Sequence, residues 1–205
     1  MTVRRMIASG SRHLLVIAAA LPLAGCLSFG GKPPKQLLTL AAASQPQPGV
    51  EQTSSAASAI VVQVPAVPQS IANTRVPVQS SDTTIAYVKD AQWAEPPARL
   101  FARLLADTAT ARAKMVVLSP AQSFGAPSAD LAGELRSFGL DATRREAVVI
   151  YDAALTRAGR TEVEKRRFEA RVPVAAIDAL SAGAALSQGA NDVAVQVADW
   201  LRAGR

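Results

Sequence analysis

Eight apolar residues, Leu14 to Leu21, end five positions before Cys26, the only cysteine in the 205-residue chain. The run is too short to cross a bilayer, which takes about 20 apolar residues. Arg4, Arg5 and Arg12 surround its start, no acidic residue occurs before Glu51, and Gly/Pro-rich chain follows. A buried core helix does not combine these features, but a targeting segment does. Residues 1–25 are therefore expected to supply nothing to the fold.

Leu23-Ala24-Gly25-Cys26 resembles the processing motif of bacterial lipoproteins. That resemblance implies a thiol that is lipidated and becomes the first residue of the mature chain. The rival is a plain secretory signal cleaved near Gly25, which would leave an unpaired thiol in an oxidising compartment. Each buried methylene is worth about 0.8 kcal/mol, so one acyl chain binds marginally and two or more hold firmly. Leu27, not Asp, follows the cysteine. In enteric-type sorting an Asp there retains the protein at the inner membrane, so the expected location is the outer membrane, facing the periplasm.

Loss of residues 1–25 removes three arginines and no acids. It leaves 19 of 22 basic residues against 16 acidic ones, a net charge of +3. Such a balance, with no dense Lys/Arg stripe, does not point to nucleic acid. Aromatic residues make up only 4%, so Ala, Val, Leu and Ile must build most of the core.

The expected organisation is a signal peptide over 1–25, a lipidated tether over 26–35 and one compact α+β domain over 36–205. Gln36–Ala42 reads as a first strand, and 44–58, rich in Gln, Pro and Ser, as a disordered loop. Strands are predicted at Ile60–Val64, Arg75–Gln79 and Thr83–Val88, with a turn at 68–73. A helix should start at Pro97, where a missing N–H costs nothing, and carry Leu100, Leu104 and Leu105 inward. Met115–Leu118 reads as a short buried strand and 121–129 as loop. An antiparallel meander follows, with Phe138 out of phase as if after a bulge. Ala147–Tyr151 is apolar on both faces and should be central. Thr161–Val172 should be an edge strand with Phe168, Ala170 and Val172 inward. The final helix is expected from about Ala175, broken near Gly183 or Gly189, with Val193, Val197, Trp200 and Leu201 as its stripe.

The inventory for chemistry is poor. The one histidine, His13, lies in the segment expected to be lost, and the cysteine is consumed by lipid. Without them no Ser-His, Cys-His or His-metal site can form. Asp90, Glu95, Asp107 and Asp152 show no convergent spacing, and no glycine-rich phosphate loop occurs. No catalytic residue, metal site or cofactor is assigned, and the chain is not read as an enzyme. Lys165-Arg166-Arg167, with Arg157 and Arg160, is the densest basic patch, but Glu162, Glu164 and Glu169 interleave with it. Tyr87, Trp93 and Phe101 surround the corner from strand to helix. Core packing accounts for all three; a partner-binding or lipid groove is the sharper alternative.

The segment Tyr87-Val88-Lys89-Asp90-Ala91-Gln92-Trp93-Ala94-Glu95-Pro96-Pro97, leading into Leu100 and Leu104-Leu105, resembles the ABC-type transport auxiliary lipoproteins. These include the lipoprotein of the paraquat-inducible operon and those associated with MCE-domain transporters. Leu131-x-x-x-Leu135-x-x-Phe138, Ala147–Leu155, Arg166-Arg167-Phe168, Pro173 and the Ala-rich end at Trp200-Leu201 follow in the family's order, so the resemblance covers roughly residues 26–202. It implies a mixed or antiparallel sheet backed by two main helices, and no catalytic or cofactor-binding residues. It further implies an accessory role beside an inner-membrane ABC transporter and an MCE-domain protein moving lipids or other hydrophobic molecules, and it allows for a homo-oligomeric ring. The alternative is an envelope structural or assembly lipoprotein that binds peptidoglycan or outer-membrane proteins.

Overall fold

A long antiparallel meander forms the centre of the molecule. The computed structural model describes residues 36–50, 52–53, 59–122 and 127–204. Strands β5 (Ala129–Asp141), β6 (Glu146–Arg157) and β7 (Val163–Pro173) pair in sequence order. β6 is central, as its apolar run predicts. Ala147, Val149, Tyr151, Ala153 and Leu155 are buried on one face, while the alternate residues fall on the other. The register of β5 against β6 slips at Arg136, which turns Phe138 inward beside Leu135. This is the bulge that the phase change predicted.

The free side of β5 is shared by two strands. β1 (Ala59–Val62) lies parallel to its N-terminal end, with Ile60 opposite Ala129. The chain then keeps to the same edge, where the Ala66 N–H donates to the Gly133 carbonyl at 2.9 Å and the Ala66 carbonyl accepts from the Leu135 N–H at 2.9 Å. After a 3₁₀ turn at Gln69–Ile71, β2 (Arg75–Ser81) rejoins the C-terminal end of β5, with Val78 opposite Leu140. β3 (Thr84–Gln92) folds back antiparallel on β2, and β4 (Val116–Leu118) lies parallel to β1. Pro77 cannot donate to a ladder, and it occupies the irregular stretch of the β2–β3 pairing where none is needed. The result is one mixed seven-stranded sheet.

Two helices cover one face. α1 (Pro97–Ala113) carries Pro97 at its first position, as expected, and ends at Lys114 in the left-handed conformation (φ 54°). α2 (Ala179–Ala203) starts at Asp178, whose Oδ1 accepts from the Ser181 N–H at 2.9 Å. The helix therefore begins four residues later than expected. It is also unbroken, which corrects the reading of Gly183 and Gly189 as breaks. A Cβ on Gly183 would lie 2.7 Å from Leu38 Cδ2, and one on Gly189 would lie 3.1 Å from Val149 Cγ2. Both glycines let other chain approach the helix. The buried stripe of α2, largely alanine, packs against α1, β6 and β7.

Three other expectations change. Gln36–Ala42 forms no strand; a single parallel bridge joins Leu38 to Trp93, and Asn191 Nδ2 holds the Ala41 carbonyl at 3.1 Å. Val116–Leu118 is a strand, but its residues are only half-buried. Pro120–Gln122 is a 3₁₀ turn within the stretch expected to be loop. The loop expected at 44–58 lies partly outside the described residues.

Gly133 faces Tyr151, whose hydroxyl donates to the Ala132 carbonyl at 3.0 Å. The ring lies across the glycine, so that a Cβ there would meet Tyr151 Cε2 at 2.7 Å and the Asp152 carbonyl. Gly133→Ala forces the ring and the strand apart. It is expected to lower unfolding stability by about 1–3 kcal/mol, measured as a lower urea midpoint.

Candidate functional site

Trp93 and Phe101 sit at the corner between β3 and α1, where an extended strand must turn into the helix that covers it. The Trp93 N–H donates to the Thr74 carbonyl at 2.7 Å, which fixes the start of the corner. Pro96 and Pro97 then turn the chain into α1. The Trp93 ring stacks at 5.4 Å on Phe138, Phe138 lies 6.5 Å from Phe101, and Phe101 meets the Tyr151 ring edge-on at 5.3 Å. Four elements thus meet at one aromatic cluster. Trp93 is 1% exposed and Phe101 0%. Both rings fill the core, as the packing alternative expected, and present no exposed surface in this fold. Burial of Tyr151 also pushes its phenol well above the ordinary range.

Tyr87 is the exception. It stands on β3 at the edge of the sheet and is half-buried. The Arg75 guanidinium lies 3.8 Å from its ring centre, and its hydroxyl donates to the Ser70 carbonyl at 3.5 Å. Of the three corner aromatics, only Tyr87 has surface left to share.

The acids are dispersed. Glu95 is chelated by Arg103 at 2.6 and 3.0 Å, and this pairing lowers its pKa. Asp107, one turn further along α1, is raised by desolvation. Asp90 is exposed on β3 and has φ 56°. Asp152 lies on the open face of the sheet, where Arg167 grips both oxygens at 2.6 and 2.7 Å. Glu95 and Asp107 border the same shallow groove beside Arg99 and Arg103, while Asp90 and Asp152 lie elsewhere. Among the described residues no group of three or more His, Cys, Asp or Glu could hold a metal. Cys26 and His13 lie outside the described residues.

The open face is a lattice of ion pairs over β5, β6 and β7. Arg136 reaches Glu134 at 3.4 Å and Asp152 at 3.7 Å, while Arg171 reaches Glu169 at 2.6 Å and Glu146 at 3.5 Å. Most of the basic patch is spent here or nearby: Arg167 binds Asp152, Arg157 binds Glu164 at 2.8 Å, and Arg166 lies over the Phe168 ring. On the opposite side, a groove of about 680 Å³ runs between α1 and β4. Val62, Val117, Ala102 and Ala106 line its floor, and Arg99 and Asp107 its rim. It is a shallow surface feature and brings together no reactive set. Sequence reading did not single out the exposed apolar residues Leu37, Ile177 and Leu180. Leu180 is off the period of the buried stripe of α2, which is the one signal that marks it.

The model of the ABC-type transport auxiliary lipoprotein component family matches residues 39–198. The chain belongs to this family. As a member it has an accessory role in ABC-type transport and an association with the cell envelope. A crystal structure of a Xanthomonas campestris protein, assigned to the family DUF330, superposes with a TM-score of 0.65 at 19% identity, covering 82% of this chain and 95% of that one. A second crystal structure, of an uncharacterized protein, gives 0.61 at 19% identity, covering 70% and 91%. Both share the fold of this auxiliary component. No curated protein matches the chain.

Two substitutions separate packing from surface. Trp93→Ala removes the ring that touches Phe138 and is expected to cost about 3–5 kcal/mol of unfolding stability, whereas Tyr87→Ala should leave the denaturation midpoint nearly unchanged. The Arg167 pair holds the Asp152 carboxyl below its ordinary value. Its stabilisation is therefore present above the unfolded carboxylate value, about 3.9, and is lost as pH falls through the lower folded value. Asp152→Asn should cost about 1 kcal/mol or less at pH 7, because Arg167 is largely exposed. The difference from wild type should shrink as pH falls below 4, read from urea midpoints across pH.

Proposed function

We propose that this protein is a non-catalytic accessory, held in the envelope by lipid on Cys26. It works with an inner-membrane ABC transporter and an MCE-domain protein that carry lipids or other hydrophobic molecules across the periplasm. The supporting observation is an arrangement: a domain of the transport auxiliary family begins 13 positions after a lone cysteine that closes a signal-like segment. Glu95 and Asp152 are tied up in ion pairs with arginines, which agrees with a role in contact and position rather than in bond-making. Leu27 after the cysteine favours the outer membrane, with the domain facing the periplasm. If copies assemble into a ring, the sheet edges β3, β4 and β7 are the places for contact, since Trp93 and Phe101 are enclosed.

Purification of the acylated protein from membranes, with mass spectrometry of what accompanies it, tests this reading. An MCE-domain protein and an ABC permease are the expected companions. Recovery with peptidoglycan or an outer-membrane assembly complex instead would overturn it. Cys26→Ser should abolish acylation and release the protein from the membrane fraction; unchanged processing and location would remove the anchor from the account.

A further inference from the structure

Among the described residues seven large apolar side chains are exposed, and Leu180 is the most exposed at 74%, with Leu37 at 53% and Ile177 at 42%. Leu37, Ile177 and Leu180 belong to one end of the domain. The side chain of Leu38 lies against α2 at Gly183, one turn beyond Leu180, so the chain enters the fold beside the first turn of that helix. From there it runs along α2, with Ala41 and Ala43 hydrogen-bonded to Asn191. Ile177 directly precedes the capping residue Asp178. The turn between β5 and β6 is at the same end: the Arg145 carbonyl accepts from the Val174 N–H at 2.9 Å, and the Arg145 guanidinium donates to the Ala175 carbonyl. The opposite end carries the β6–β7 turn and the C-terminus of α2, where a Cβ on Gly204 would meet Arg157.

We infer that this end is a membrane-docking surface, with Leu180 and Ile177, flanked by Leu37, seated in the bilayer that holds Cys26. The inference rests on the anchor proposed above. Nine residues, Leu27 to Lys35, separate Cys26 from Gln36. Fully extended, the step from Cys26 to Gln36 spans at most about 35 Å, so the end where the chain enters cannot leave the neighbourhood of the lipid surface. A leucine three-quarters exposed on the first turn of a helix serves no core. Next to a bilayer it replaces water with acyl chain, as the apolar face of an interfacial helix does. The charges at this end nearly cancel. Arg144 pairs with Asp141 at 2.9 Å, Asp178 caps the helix, and the Arg145 guanidinium is held by the Ala175 carbonyl. Contact is thus apolar, and salt should not release it.

The acylated mature protein, reconstituted in vesicles of phosphatidylethanolamine and phosphatidylglycerol, provides the test. Acylation blocks Cys26, so Leu180→Cys or Ile177→Cys offers one thiol for an environment-sensitive fluorophore, and Arg160→Cys marks the far end. Fluorophores at 177 and 180 are expected to emit at shorter wavelength, to be quenched by nitroxide-bearing lipid and to be shielded from aqueous iodide, at low and high salt alike. The fluorophore at 160 should be quenched by iodide. Iodide quenching at 177 and 180 equal to that at 160 would overturn the docking surface. The mass of the N-terminal peptide reads the anchor separately: an acylated Cys26 with a water-exposed Leu180 position sinks this inference and leaves the anchor standing. Two labelling positions keep the test open if one variant misfolds.

Discussion

Strand β5 is hydrogen-bonded to β6 along nearly its whole length and to two different strands at the two ends of its other side. Every other part of the domain takes its position from that strand. Its inward residues Leu131, Leu135 and Phe138 are all buried, and Phe138 brings Trp93 and Phe101 to one point. The slip at Arg136 makes this geometry available. Without it, Phe138 would project to the open face among the ion pairs, and the corner that starts α1 would have nothing to close on.

The meander was legible in the sequence because its signals are local. Phe168, Ala170 and Val172 alternate on one strand, Ala147–Tyr151 is apolar throughout, and the phase change before Phe138 lies within a few residues of its cause. The turn at Gly159 (φ 77°) has the same local character. The parallel pairing of β1 and β2 with β5 could not be read this way, since nothing in Ile60 or Val78 names a partner far along the chain. Gly183 and Gly189 misled for a related reason. In sequence a helical glycine resembles a break, and only the tertiary neighbours Leu38 and Val149 show that it makes room. The corner aromatics were ambiguous because a buried cluster and an exposed groove draw on the same residue types. In this fold Trp93 and Phe101 are enclosed, and Tyr87 is the accessible member.

The two faces of the sheet divide the work. The helix-covered face is filled by Leu, Val, Ala and aromatic side chains, and the small stripe of α2 lets it lie close to α1 and β6. The other face balances Arg against Glu and Asp in pairs that water screens, which contributes little to stability but discourages sheet-to-sheet association. A domain arranged in this way leaves its rims and edges free for contact. That agrees with an accessory role in ABC-type transport.

The split edge of β5 also bears on biogenesis. Ile60 meets Ala129 and Val78 meets Leu140, each pair more than sixty positions apart. Closing such distant pairs slows folding. β2 can close on β3 at once, but β1 and the β5-facing side of β2 stay unpaired until β5 has been made, so the parallel half of the sheet is the last to be completed.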